Sequence, residues 1–431
     1  MQQRGDAQLL SVGPTGRYLV DPGGRPIFVN GDTAWSLPAA VLPAEAERYF
    51  ADREAKGFNA VIVNGLEHLF APAPPRTPDG IEPFLAPGDL ARPNDAYFER
   101  LDEILSLAAM HGITLFLAPL YLGYIDPHYP GFGFTGLAEG WHAEMVAAGV
   151  DSCRAYGRFL GRRWRDADNL VWVIGGDRNP GDVREHVLAL VDGIRQEDER
   201  HLMTAHVHPD DSAVEQYGGA EWLTVNQTYT YQIVHRKLAA DYRRLPVRPF
   251  VLFESTYEGE HNSSDLQIRR QAWWAVTSGA AGTFLGNFPL WLMAPGWPGV
   301  LDSPGAIAMS HLGQFVRSIA WWDLVPDEDQ RVVVAGLGEL NGLDRATAAA
   351  TPDGRLALVY VPGPRTVTVN LGELGGWAVR ARWFDPRTAS WHHAGVLTRQ
   401  GYAQFAAPWA EDAVLLLEDV AGGEHGVWPR S

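Results

Sequence analysis

Over its first three quarters the chain alternates between short apolar runs and longer amphipathic ones. Near-continuous apolar runs occur at Pro26–Gly31, Ala60–Asn64, Thr114–Leu120, Leu170–Gly175, Leu202–Val207, Trp222–Asn226, Phe250–Phe253 and Thr283–Gly286. Strands covered by helices on both faces read this way, because neither face can be polar. Between them lie stretches of helical period. Helices are predicted over Ala44–Lys56, Asp95–His111, Asp151–Trp164, Val183–Arg200, Ile233–Leu245, Asp265–Ser278 and Met309–Trp321. The first has Pro43 at its start and Gly57 at its end, where each residue suits a helix boundary. Ser264 and Gln267 have the spacing of a capping box. A hairpin around Asp21–Gly24 precedes the first strand. Eight strand–helix units in sequence predict a (β/α)₈ TIM barrel. A dinucleotide fold would need a glycine-rich turn after the first strand, and Asp32-Thr33-Ala34-Trp35 stands there instead.

Near Arg331 the period changes to two. Runs at Arg331–Ala335, Leu356–Val361, Thr366–Leu371, Ala378–Trp383 and Ala413–Leu417 are separated by turns such as Pro352-Asp353-Gly354. This predicts a small all-β sandwich. The expected domains are a barrel over 1–325 and a sandwich over 326–431, packed together because no low-complexity linker separates them. The tail after Val420 is expected to be loose.

The loops at the C-terminal ends of barrel strands carry the chemistry of such folds. The polar and aromatic residues predicted there are Asp32 and Trp35, then Asn64 with Glu67 and His68, then Tyr121 and Tyr124. They continue with Asp177, Arg178 and Asn179, then His206 and His208, then Asn226, Gln227 and Tyr229, and end with Glu254, Asn287, Trp291 and Trp297. Two acids stand out, Asp177 at the end of the fourth strand and Glu254 at the end of the seventh. Two carboxyl groups about 5–5.5 Å apart are what glycoside cleavage with retention needs, one as nucleophile and one as acid and then base. Asp177 is the candidate acid/base and Glu254 the candidate nucleophile. The candidate substrate-binding residues are Asp32, Trp35, Asn64, His68, Tyr121, Arg178, Asn179, His206, Gln227, Tyr229 and Trp291. Aromatic faces suit the C–H side of a sugar, and polar groups suit its rim.

Composition narrows the field. The formal charge is −17, a field that repels phosphate backbones and anionic lipid, so neither nucleic acid nor membrane is an expected partner. An acidic polysaccharide would have to be met by a local basic patch. Lys56 and Lys237 are the only lysines among 35 basic residues, and both fall in predicted helices. Schiff-base, pyridoxal and carbamylated-lysine chemistries therefore lack their key residue. Cys153, the sole cysteine, falls in a predicted helix and reads as a packing residue. With no apolar leader, the expected location is the cytoplasm, or outside the cell if a leader was removed. No cofactor or metal is expected, and oligomeric state is left open.

The segments Asn30-Gly-Asp-Thr-Ala-Trp35, Gly57-Phe-Asn-Ala-Val61, Gly175-Gly-Asp-Arg-Asn-Pro180 and Phe253-Glu-Ser-Thr-Tyr257 resemble the apiosidase-like family, glycoside hydrolase family 140 and its relatives. The C-terminal part resembles the module named there for collagen binding. The resemblance implies a retaining (β/α)₈ glycosidase with its acid/base on Asp177 and its nucleophile on Glu254. It also implies release of an apiose-linked sugar from a pectin side chain. Two other readings stay open at this point. One is a barrel that binds carbohydrate without cleaving it. The other is a metal-dependent hydrolase that uses His206 and His208.

Overall fold

A computed structural model describes residues 8–123 and 140–420. Tyr124 and the tail beyond Val420 lie outside the described residues. Strands β1 (Ser11–Val12), β2 (Leu19–Val20) and β3 (Pro26–Ile27) form a small antiparallel sheet, in which β2 pairs with both neighbours. The first expected barrel strand is therefore split. Pro26–Ile27 belongs to this sheet, and the barrel begins with β4 (Val29–Thr33).

The barrel continues with β5 (Ala60–Asn64), β6 (Thr114–Ala118), β7 (Leu170–Gly175), β8 (Met203–His206), β9 (Asn226–Tyr229), β10 (Phe250–Glu254) and β11 (Gly282–Leu285). All pair in parallel in the order β8-β7-β6-β5-β4-β11-β10-β9. Between β8 and β9 the ring is joined by backbone bonds from Thr224 and Val225 to the Met203 carbonyl, at 2.9 and 3.1 Å. The sixth strand lies four residues later than predicted. The apolar run Trp222–Val225 leads into it, while the strand itself, Asn226-Gln-Thr-Tyr229, is polar. Hydrophobicity alone therefore pointed to the wrong segment.

The helices are α1 (Leu37–Ala40), α2 (Pro43–Ala55), α3 (Asp95–Met110), α4 (His142–Ala148), α5 (Val150–Trp164), α6 (Arg184–Arg195), α7 (Ala213–Tyr217), α8 (Val234–Tyr242), α9 (Asp265–Thr277) and α10 (Pro304–Val316). Ser264 caps α9 by accepting the Gln267 amide. The Gln267 side chain goes to Thr256 instead of back to the cap, so only half the expected box forms. The last helix starts five residues earlier than predicted, because Ser303 caps it and Pro304 takes its first position.

Alternation within each barrel strand sorts side chains between two cores. Val29, Ala60, Ile62, Phe116, Val171, Val173, Val251, Phe253 and Phe284 fill the interior. Val61, Val63, Leu115, Leu117, Trp172 and Ile174 face the surrounding helices. At Gly31 a Cβ would lie 2.2 Å from the Phe284 ring, so only glycine fits there.

The sandwich comprises β12 (Val325–Pro326), β13 (Val333–Ala335), β14 (Thr347–Ala350), β15 (Leu356–Val361), β16 (Thr366–Asn370), β17 (Ala378–Phe384), β18 (Trp391–Thr398), β19 (Tyr402–Ala406) and β20 (Ala413–Asp419). One sheet has the order β12-β14-β15-β20-β17-β18 and the other β13-β16-β19. It shares a core with the barrel. Trp273 of α9 stacks on Tyr360 of β15 at 6.1 Å, and Phe315 of α10 packs on Phe384 of β17 at 4.9 Å. Beside them, Arg269 of α9 donates from Nε to both Asp412 oxygens at 3.0 Å, and Nη2 reaches Oδ1 at 2.7 Å. Tyr360 donates to the same carboxylate at 3.1 Å.

Candidate active site

Asp177 reaches the barrel mouth through an unusual strand end. Gly175 has φ of 103°, and a Cβ there would lie 2.3 Å from the His206 carbonyl oxygen. A Cβ on Gly176 would lie 2.6 Å from the Leu122 amide nitrogen. The two glycines thus let the end of β7 press between its neighbours, which a side chain would forbid. Glu254 arrives differently. The pairing of β10 with β9 shifts register between Leu252 and Glu254, which re-aims the strand tip.

His206, at the end of β8, sits between the two acids. Its Nε2 is 2.8 Å from Asp177 Oδ1 and 3.2 Å from Glu254 Oε2. One carboxylate oxygen of each acid and this nitrogen lie within 4.8 Å of one another. Gln227 Oε1 accepts from His206 Nδ1 at 2.9 Å, which gives that nitrogen a proton. The ring is clasped by Trp35 and Tyr229, stacked at 5.6 and 4.8 Å. Burial works against a charged imidazole, but the contacts with Asp177 and Glu254 outweigh it and hold His206 up to about 10. The bridge is an imidazolium at neutral pH. Burial raises Glu254 above the ordinary glutamate range, and the Asp177 charge adds to this, while His206 and Tyr231 pull it back. Tyr231 donates to Glu254 Oε1 at 2.9 Å. Burial, reinforced by the Glu254 charge, holds the Tyr231 phenol far above its usual range, so it remains a donor.

Above these groups opens a cavity of about 420 Å³, counting the part open to solvent. Trp35, Asn64, His68, Tyr121, Asp177, Glu254 and Trp291, all selected from the sequence, line it. His68 stacks on Tyr121 at 5.0 Å, and burial lowers its basicity, so it is a neutral ring. Its loop is fixed from below by Glu67, fully buried, which accepts the amides of His68, Leu69 and Phe70 at 2.7, 3.0 and 3.3 Å.

Several expected binders sit elsewhere. Asp32 alternates outward on β4, away from the barrel interior. It accepts from Tyr49 at 2.8 Å and pairs with Arg53 at 3.4 Å, both on α2, which makes it a brace between strand and helix. Arg178 is buried and donates to Asp182 at 3.1 Å, clear of the cavity lining. Asn179 ties two loops together, donating to Asp211 and accepting the His208 amide at 3.3 Å. His206, Gln227 and Tyr229 lie beneath the cavity as supports and do not form its surface. Trp297 packs in the core near Tyr49. His208 turns to the Pro209 carbonyl at 2.8 Å, away from the His206–His208 pairing of the alternative metal reading. Among the described residues, the three-ligand group that could hold a metal is instead Asp177, His206 and Glu254.

Four lining residues were not selected from the sequence: Phe70, Tyr231, Tyr257 and Glu260. Tyr231 was missed because the sixth strand was set too early, which put Tyr229 at the tip. Tyr257 carries no sequence signal beyond its place after Glu254, yet its hydroxyl accepts from Trp35 Nε1 at 3.1 Å.

The family model described as "Apiosidase-like, catalytic domain" matches residues 14–323. One described as "Putative collagen-binding domain of a collagenase" matches 325–418. A solved structure described as a glycoside hydrolase superposes with a TM-score of 0.83 at 24% identity, covering 97% of this chain and 98% of its own. A glycoside hydrolase family 5 protein from Bacteroides vulgatus gives 0.84 at 23%, covering 98% and 96%. An endo-1,4-beta-mannanase from Rhizomucor miehei gives 0.52 at 12%, covering 72% and 100%. At these identities the likenesses speak to the fold. No curated protein matches the sequence. With most of its length matched by the catalytic-domain model, this chain belongs to the apiosidase-like family of glycoside hydrolases.

Proposed function

We propose that the enzyme cleaves its glycoside with retention, with Glu254 as nucleophile and Asp177 as acid/base. The observation that carries this is the spacing: an oxygen of each acid lies within 4.8 Å of the other. Retention works at about 5–5.5 Å, whereas inversion needs about 6.5–9.5 Å to fit a water. His206 contacts both acids, so the division of roles is supported by the remaining donor, Tyr231. Glu254 accepts from Tyr231 and faces His206, which suits the group that must begin as an anion. Asp177 has the shared imidazolium on one oxygen and the cavity beside it.

In the first step Glu254 attacks the anomeric carbon, the glycosidic C–O bond breaks, and Asp177 gives its proton to the departing oxygen. In the second, water attacks the anomeric carbon of the resulting glycosyl ester, Asp177 takes the water's proton, and the bond from that carbon to Glu254 breaks, releasing the carboxylate. His206 and Tyr231 compensate the charge that moves on and off Glu254, at fixed positions in the buried floor of the site. The family points to an apioside as the substrate.

The test is hydrolysis of an aryl apioside followed by NMR of the first anomer formed. Retention, together with at least a ~10³-fold loss of turnover in Glu254→Gln, is expected. Inversion, or an active Glu254→Gln enzyme, refutes the assignment. The metal reading has one observation in its favour, the compact Asp177–His206–Glu254 group. It predicts that a chelator abolishes activity and that added Zn²⁺ or Mn²⁺ restores it, whereas the double-displacement reading predicts full activity in chelator.

A further inference from the structure

The cavity holds a third carboxylate that the two-step cleavage does not use. Glu260 follows β10 by six residues and lines the same space as Asp177 and Glu254. Its Oε1 accepts from Trp291 Nε1 at 2.7 Å, which fixes the Trp291 ring against Phe70 at 4.8 Å. Burial raises Glu260 above the ordinary glutamate range, while Trp291 and His261 pull it back; in its ionised form the carboxylate offers more acceptor positions than this one bond fills.

The charges around the cavity are one-sided. Among the described residues, three acids line it and no lysine or arginine does. His206 carries one positive charge, but that charge is spent between Asp177 and Glu254. His68 is neutral. The basic patch that an acidic sugar would require is missing from the described cavity.

We propose that Glu260 is a specificity-determining residue for the ring whose bond is cleaved: it accepts hydroxyl protons from that ring and disfavours a carboxylate on it. A neutral sugar supplies the donors that its free lone pairs lack. A uronate supplies another anion to a partly desolvated space already rich in them, where like charges interact more strongly than in bulk water. Fixing Trp291 through the same carboxylate couples the acceptor to the aromatic wall, so a ring resting on Trp291 presents its hydroxyl edge to Glu260. This rests on the proposal that sugar binds above Asp177 and Glu254.

The experiment compares matched pairs that differ only in the exocyclic carbon: 4-nitrophenyl glucoside and glucuronide, and 4-nitrophenyl galactoside and galacturonide, in both anomers, with an aryl apioside as a further neutral substrate. Binding of the corresponding free sugars is followed by tryptophan fluorescence, so the comparison does not depend on turnover. Wild type should favour the neutral member by roughly tenfold or more, the scale set by one like charge in a shared cavity. Glu260→Gln keeps an acceptor for Trp291 but removes the charge, and should shrink that ratio severalfold. A purely structural role would depress both members alike and leave the ratio unchanged, which would overturn the proposal. So would a wild-type preference for uronates, or a protein that binds no neutral sugar. If no glycoside is cleaved but the neutral sugars bind with the expected ratio, the cleavage reading fails and the role of Glu260 stands.

Discussion

The contact between Arg269 and Asp412 joins the helix behind the Glu254 strand to the C-terminal sandwich, and its removal has a calculable cost. Arg269 is 6% exposed at its side chain and Asp412 is fully buried. Replacing Arg269 by Met keeps most of the volume and strands Asp412 with the Tyr360 hydroxyl. Losing one partner of a buried, hydrogen-bonded ion pair costs about 3–5 kcal/mol, because the other charge stays buried without compensation. The additional bond to Glu411, itself half exposed, adds little. The unfolding entropy of a protein this size is on the order of 0.9 kcal/mol per kelvin, at about 2.1 cal/mol/K per residue. If barrel and sandwich unfold together, the midpoint should fall by roughly 3–6 °C. Calorimetry of wild type, Arg269→Met, Asp412→Asn and the double variant measures this. The double variant should recover much of the loss, since it removes the stranded charge. A shift under about 1 °C in Arg269→Met, or a double variant no better than the single one, would refute the view that burial makes this pair costly to break.

Other consequences can be measured directly. Asp177→Ala should slow aryl glycosides with good leaving groups far less than natural glycosides, which need a proton on the departing oxygen; equal losses contradict its acid role. Tyr231→Phe removes a donor that lowers Glu254. The acidic limb of kcat/KM, which reports ionisation of the free enzyme's nucleophile, should therefore move to higher pH and turnover should drop about tenfold or more; an unmoved limb would separate Tyr231 from Glu254. His206 keeps its proton to about 10 when folded and releases it near 6.5 when unfolded. Its stabilising contribution is complete below the unfolded value and lost as pH rises through the folded one. Thermal midpoints should decline across that window, and a flat profile contradicts the imidazolium bridge.

The barrel was legible because its strands are buried on both faces, and continuous apolar runs such as Ala60–Asn64 and Leu170–Gly175 have little other use. The sixth strand was not, because Asn226-Gln-Thr-Tyr229 spends its polar groups on its surroundings. Gln227 holds His206, and Thr228 donates to Asp241 at 2.7 Å. In the sandwich, β18 was missed because its largely exposed face gives no alternation, and β14 because Thr-Ala-Ala-Ala carries no strand preference. The two acids could be selected because each ends an apolar strand. Asp32 looked equivalent to them by the same rule, and only strand alternation, counted from Val29 inside the barrel, shows that it must face α2. Glu260 could not have been selected, since nothing in Tyr257-Glu-Gly-Glu260 marks which acid turns to the cavity; Glu258, two residues away, instead accepts from Asn287, Ser303 and the Gly305 amide.

The buried Glu67 has an effect that reaches beyond its own loop. By gathering three successive amides it settles the shape of the wall bearing His68 and Phe70 before any sugar arrives, so little freedom remains to be surrendered on entry. A wall set in advance discriminates by refusal: a ring of the wrong outline finds no loop willing to give way. Broadening the range of accepted sugars would accordingly start by loosening this buried acid, with weaker attachment of the preferred ring as the accompanying loss.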